Sequence, residues 1–155
     1  MSTGSRGAFG RPPTATGRVL SLFREAGDRA GEARTLGYVG LNETQLGRYE
    51  QAAGHQQEAL VIFRDIGDFF GQARALGNLG WVRQRQGRYQ EAIGYQQQAL
   101  ALMRKMGSTV GEVEILVKLG EVYLGLAAAG KRPPTLSRPV PRCPRSVIRI
   151  WRLAR

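Results

Sequence analysis

Few residues in this chain are equipped for chemistry. It has one histidine, His55, and one cysteine, Cys143, 88 positions apart. A transition-metal site needs several nitrogen, sulfur or carboxylate ligands brought together, and no such cluster stands in the sequence, so no metal is expected. A general base needs a nucleophile and an orienting group within reach. The residue 40 positions after His55 is Tyr95, and no Asp, Ser or Cys accompanies both at a fixed offset. His55 therefore reads as a partly buried helix histidine. Cys143 lies in a Pro/Arg-rich stretch without a second thiol and reads as incidental. The 21 glycines invite a phosphate-loop reading, but neither Gly-x-Gly-x-x-Gly nor Gly-Lys-Ser/Thr follows a strand pattern. Neither catalysis nor a cofactor is expected.

Charge gives the next exclusion. The 155 residues carry 23 Lys+Arg against 12 Asp+Glu, a net +11. Residues 1–26 hold four basic groups and one acid, residues 27–126 eleven of each, and residues 127–155 eight basic groups and no acid. A domain that grips phosphates presents its cations on the folded surface, and here the middle hundred residues are balanced. Neither nucleic acid nor membrane is expected to bind that middle. A lone cysteine excludes an internal disulfide. No stretch approaches the roughly 20 apolar residues of a spanning helix, and residues 1–17 lack the apolar block of a secretory signal. A soluble, cytoplasmic setting is the expectation.

The balanced middle repeats itself. Gly27–Ile66 aligned over Gly67–Met106 without a gap gives 18 identities in 40 positions, among them Gly27/Gly67, Asp28/Asp68, Arg34/Arg74, Gly40/Gly80, Gly47/Gly87, Tyr49/Tyr89, Gln56/Gln96 and Leu60/Leu100. A third copy starts at Gly107 and keeps Gly111, Leu116, Leu119 and Gly120. Where Gly-Arg-Tyr should recur, it reads Ala127-Ala128-Ala129. Upstream, Leu20, Phe23 and Arg24 match Leu60, Phe63 and Arg64. The expected layout is a disordered segment 1–16 and an array over 17–126, followed by a basic Pro/Arg-rich tail over 127–155. Within the array lie a half repeat at 17–26, full repeats at 27–66 and 67–106, and a half repeat at 107–126.

Each unit reads as two helices. Phe69, Ala73, Leu76 and Gly80 recur at steps of four, three and four, and Tyr89, Ala92, Ile93, Gln96, Leu100, Met103 and Met106 form a second such stripe. Asp28, Asp68 and Ser108 stand where a first helix needs an N-cap, and Gly47 and Gly87 where it needs a left-handed residue after its end. A short turn makes the two helices antiparallel. Gly40, Gly80 and Gly120 let the partner helix come close. One hairpin cannot bury its own apolar face, so neighbours must stack into a solenoid.

Residues Leu76, Leu79-Gly80, Gly87-Arg88-Tyr89, Ala92 and Ala99-Leu100 resemble the tetratricopeptide repeat, in a copy longer than the usual length of about 34 residues. The pattern Gly-Asp, Ala-Arg, Leu-Gly, Gly-Arg-Tyr is similar to the 40-residue variant of Pins-like adaptors and of large bacterial regulators and signalling ATPases. The resemblance covers about residues 18–126. It implies an all-α fold, a short right-handed superhelix of antiparallel helical hairpins, with the first helix of each hairpin on a concave face that holds a peptide. Glu43 and Arg83 depart from the family, which often has an aromatic there, as do Gln56 and Gln96, and looser packing is expected at these positions.

On that face the ladder runs Arg34, Tyr38, Leu41, Gln45, then Arg74, Asn78, Trp81, Arg85, then Glu114, Lys118, Glu121 and Gly125. The expected partner-binding residues are Arg34, Tyr38, Leu41, Gln45, Arg74, Asn78, Trp81, Arg85 and Lys118. Arg34 and Arg74 would pair with acidic side chains; Trp81 and Tyr38 would give apolar contact, Trp and Arg being enriched in binding hot spots. The competing reading is that these are solvated side chains, with Arg34 bonded to Glu32. The function expected is a peptide- or protein-binding scaffold with uncapped ends able to self-associate. The alternatives are a fragment of a larger transcriptional regulator or signalling ATPase, and a basic-tail binder of nucleic acid or membrane.

Overall fold

The computed structural model describes residues 15–130, which form six α-helices and, among the described residues, no strand. They are α1 (Ala15–Ala26), α2 (Arg29–Gln45), α3 (Tyr49–Asp65), α4 (Phe69–Arg85), α5 (Tyr89–Lys105) and α6 (Thr109–Ala128). Helices α2 to α5 are 17 residues each, about 25 Å at 1.5 Å per residue. Three residues join each helix to the next from α2 onward. Two such helices and two joints make up the 40-residue period.

The joints are alike because their chemistry is alike. After α2, the Arg48 N–H donates to the Glu43 carbonyl at 2.8 Å and the Gly47 N–H to the Thr44 carbonyl at 3.1 Å. This is the double bond pattern that ends a helix around one left-handed residue. Gly47 supplies that residue at φ +76°, and Gly87 does so after α4 at +72°. The start signals work as well. Asp28 and Asp68 each accept from the backbone N–H three residues on at 2.8 Å, and Ser108 does so at 3.2 Å.

Joints this short fold α3 back on α2 and α5 back on α4. The hairpins then stack: α3 packs on α4 and α5 on α6, while α2 touches α4 and α4 touches α6. The first helices of successive hairpins therefore lie side by side on one face. Leu36, Leu60, Phe63, Leu76, Leu79 and Val82 form the buried centre. Ala92, Ile93, Val122 and Leu126 form a second cluster under α6. Two residues of the apolar stripes depart from them: Met106 caps α5 and is 37% exposed, and Phe69 is 44% exposed, with the Lys105 ammonium 4.9 Å from its ring centre.

The helical span is wider than the interval 17–126. Ala15 and Thr16, assigned to a disordered segment, belong to α1, and Ala127 and Ala128, assigned to the tail, belong to α6. The second difference has a local cause. Without Gly-Arg-Tyr there is no stop signal, and alanine is the strongest helix former, so α6 runs 20 residues to its cap. The expectations for residues 1–14 and for 131–155, Cys143 among them, lie outside the described residues.

Candidate functional site

The candidate site is the face made by α2, α4 and α6. Its N-terminal half carries Arg34, Tyr38 and Arg74. Tyr38 is 60% exposed, and the Arg74 guanidinium stands 5.9 Å from its ring centre. This cation–π contact, worth about 0.5–1 kcal/mol at an exposed site, ties the ladder of α4 to that of α2. Arg34 is exposed and has no ion pair among the described residues. Glu32, its competing partner, is engaged elsewhere. It accepts from Arg24 and from Arg29, each at 2.7 Å. The hydrogen bond from Arg24 holds the Glu32 carboxyl below its ordinary range, against the desolvation that burial imposes.

The C-terminal half opens into a cleft of about 200 Å³ lined by Leu41 of α2, Asn78 and Trp81 of α4, Lys118 and Glu121 of α6, and Gln96 of α5. Four of the expected binding residues, Leu41, Asn78, Trp81 and Lys118, thus meet in one place. Gln45 and Arg85 are exposed at the far ends of α2 and α4, outside the cleft lining. Lys118 is not a free cation; it donates to Glu114 at 2.7 Å. Asn78 needs correction as an open contact residue. It is only 8% exposed, and its Nδ2 donates to Gln56 Oε1 at 3.3 Å. The ladder spacing placed it on the right helix face, but the neighbouring hairpin packs over its amide.

Gln56 and Gln96 depart furthest from expectation. Instead of loosening the array, they are buried, at 0% and 1% exposed. Gln56 Nε2 donates to the Gly37 carbonyl at 2.7 Å and Gln96 Nε2 to the Gly77 carbonyl at 3.0 Å. Glycine makes room for them: a Cβ on Gly40 or Gly80 would lie 2.7 Å from the same amide nitrogen. The recurrence of Gly40/Gly80 with Gln56/Gln96 was the signal available in the sequence. A buried Gln is tolerable only when its amide is bonded, and the glycines expose the backbone that bonds it. By contrast, a Cβ on Gly120 would meet nothing among the described residues. A partner helix for Gly120 would have to come from outside the described residues.

His55 is half-buried on α3, with Nδ1 2.7 Å from Glu43 Oε2 of α2. The forty-residue equivalent of Glu43 is Arg83, which lies 3.4 Å from Glu91 of α5. Polar bridges within each hairpin thus replace the aromatic that the resemblance led us to expect. Among the described residues, no three His, Cys, Asp or Glu are grouped to hold a metal, and no helix is long and apolar enough to cross a membrane.

The family model described as tetratricopeptide repeat matches residues 31–105 and again residues 71–128. The chain belongs to the tetratricopeptide repeat family. The two matches start 40 residues apart, at 31 and 71, which is the period of the sequence. A search of curated proteins returns no match. Tetratricopeptide repeats in general mediate protein–protein interaction. In this array the first helices α2, α4 and α6 share the face on which the cleft opens.

Proposed function

We propose that the protein is a non-catalytic scaffold whose α2–α4–α6 face binds an extended or helical segment of a partner protein. Acidic side chains of that segment pair with Arg34 and Arg74, and apolar side chains contact Tyr38, Leu41 and Trp81. Gln45 and Arg85 form a polar rim. The observation that carries this reading is the cleft at Trp81 on the same face as an exposed Tyr38 and an exposed Arg34 that has no ion pair among the described residues. Aromatic and arginine side chains grouped around a depression are the composition of interface hot spots. A volume of about 200 Å³ falls below the roughly 300–1,000 Å³ of cofactor and drug-sized pockets, which favours a side chain of a larger partner as the occupant. On the strength of the 40-residue repeat type alone, the setting is an assembly module of a cytoplasmic regulatory or signalling protein.

The test is a pull-down with the full chain beside its Arg74→Ala/Trp81→Ala double variant. A partner held by the first and lost by the second supports the groove. Equal retention by both overturns it.

A second mode, self-association, rests on a separate observation. Val110, Val113, Val117 and Leu124 of α6 are at least half exposed, at 83, 56, 58 and 50%. Such a stripe on the last described helix, uncovered among the described residues, offers an apolar face to a second copy of the array. Sedimentation that finds a monomer at every accessible concentration would overturn that mode.

A further inference from the structure

Repeating the array by 40 residues superimposes Asn78 on Lys118 and Gln56 on Gln96, and the two sites differ in one hydrogen bond. The Gly37 and Gly77 carbonyls are acceptors only, so each glutamine must turn its amide nitrogen toward them. That turns each Oε1 away from the carbonyl; Gln56 Oε1 meets Asn78 of the next unit's first helix, and Gln96 Oε1 lies 3.7 Å from where a Cβ on Gly77 would stand. In the first site Asn78 Nδ2 donates to Gln56 Oε1. In the second, Lys118 takes the place of Asn78 and bonds Glu114 instead, and Gln96 Oε1 is buried without a partner among the described residues. It lies next to Gly77, and both Gln96 and Gly77 line the cleft.

A buried carbonyl oxygen without a donor is costly, by about the strength of the bond it lacks, and such atoms in folded proteins call for an explanation. We infer that the cleft between α4 and α6 is a subsite for the side-chain carboxamide of an Asn or Gln on the bound segment. Its NH₂ group donates to Gln96 Oε1, as Asn78 donates to Gln56 in the preceding unit. Its oxygen accepts from Lys118, and its short aliphatic stem lies against Trp81 and Leu41.

The chemistry of the lining selects a neutral group. A carboxylate would oppose both the Gln96 oxygen and Glu121. A lysine or arginine would meet the Lys118 ammonium. An aliphatic side chain would leave the Gln96 oxygen unpaired. A carboxamide supplies an NH₂ donor for the Gln96 oxygen and a carbonyl acceptor for the Lys118 ammonium in one neutral group. This assignment rests on the groove reading above and refines it to one position of the bound segment.

The experiment is panning of a random phage-displayed dodecapeptide library on the full chain, on Lys118→Asn and on Trp81→Ala. The wild-type chain should select peptides with Asn or Gln fixed at one position. Replacing that residue by Leu or by Asp should weaken binding about tenfold. Lys118→Asn rebuilds the arrangement of the preceding unit, with the new amide donating to Gln96. It should unfold at a higher temperature than wild type and lose the Asn/Gln preference while still binding through Arg34 and Arg74. Peptides that depend on Trp81 but show another residue class at that position, or none, overturn the carboxamide subsite and leave the groove standing. Peptides indifferent to Trp81→Ala, or no selected peptides at all, overturn the groove and the subsite with it. A lower unfolding temperature for Lys118→Asn also counts against the subsite, because Gln96 Oε1 then has no need of a donor.

Discussion

Helices α4 and α6 hold equivalent places in successive units, yet among the described residues one is enclosed and the other is bare on one side. Ala73, Gly77 and Gly80 of α4 are buried under α5. Their counterparts on α6 are Val113, Val117 and Gly120, and the two valines are more than half exposed. Small residues stand where a second helix of the same hairpin must come close. Where no such helix is present among the described residues, valine stands instead. A close helix approach is thus written as the absence of side chains. It also has a polar side: the carbonyl bared at Gly77 receives Gln96, whereas Val117 of α6 receives no such amide among the described residues.

The comparison can be broken most directly at its glycines. Gly80→Val should destabilise the fold by about 2–3 kcal/mol, the usual cost of overpacking a tight core. A Cβ there already meets Gln96 and lies 3.2 Å from the Ala92 carbonyl. Urea unfolding followed by circular dichroism reads the difference, and an unchanged midpoint would mean that α4 and α5 are not in close contact. A step down in size, Gln56→Leu should cost about 2 kcal/mol, since it strands the Asn78 amide, and Gln96→Leu about 1 kcal/mol, because its oxygen has no donor to strand. Equal losses in the same unfolding experiment would erase the distinction between the two glutamines.

Acid sharpens a third contrast, between Glu32 and its repeat equivalent Gln72. Arg24 holds the folded Glu32 carboxyl below its ordinary value of 4.5. The resulting stabilisation is present above pH 4.5 and is lost as pH falls through the lowered folded value. Melting temperature measured from pH 6 downward should fall below about pH 4.5, and Glu32→Gln, which copies Gln72, should flatten that fall. The smallest effect belongs to Gly120→Ala. With nothing near its Cβ among the described residues, the change should raise stability by about 0.5–1 kcal/mol through helix propensity. A loss instead would reveal a partner packed on that face of α6.

The backbone plan was legible because its signals are local. Asp28, Asp68 and Ser108 name the helix starts, Gly47 and Gly87 the stops, and the forty-residue identity shows that the two hairpins are built alike. The site was legible in part. Ladder spacing brought Leu41, Trp81 and Lys118 to one cleft and Arg74 to the face of Tyr38. It failed at Asn78, since spacing tells which way a side chain leaves its helix but not what packs over it. It failed at Gln56 and Gln96 because polarity was read as looseness without the bared carbonyl that bonds it.

The sequence alone determined the helices, the joints from α2 to α6, their pairing and the repeat, all set by contacts within a few residues or by direct repetition along the chain. Only the tertiary structure decided which identical residues have equal neighbours. Gln56 and Gln96 are the same amino acid at the same place in the motif, and Gly40, Gly80 and Gly120 likewise. What distinguishes them comes from another helix, more than ten residues distant in the chain, and a hydrogen bond or a void depends on that neighbour's position.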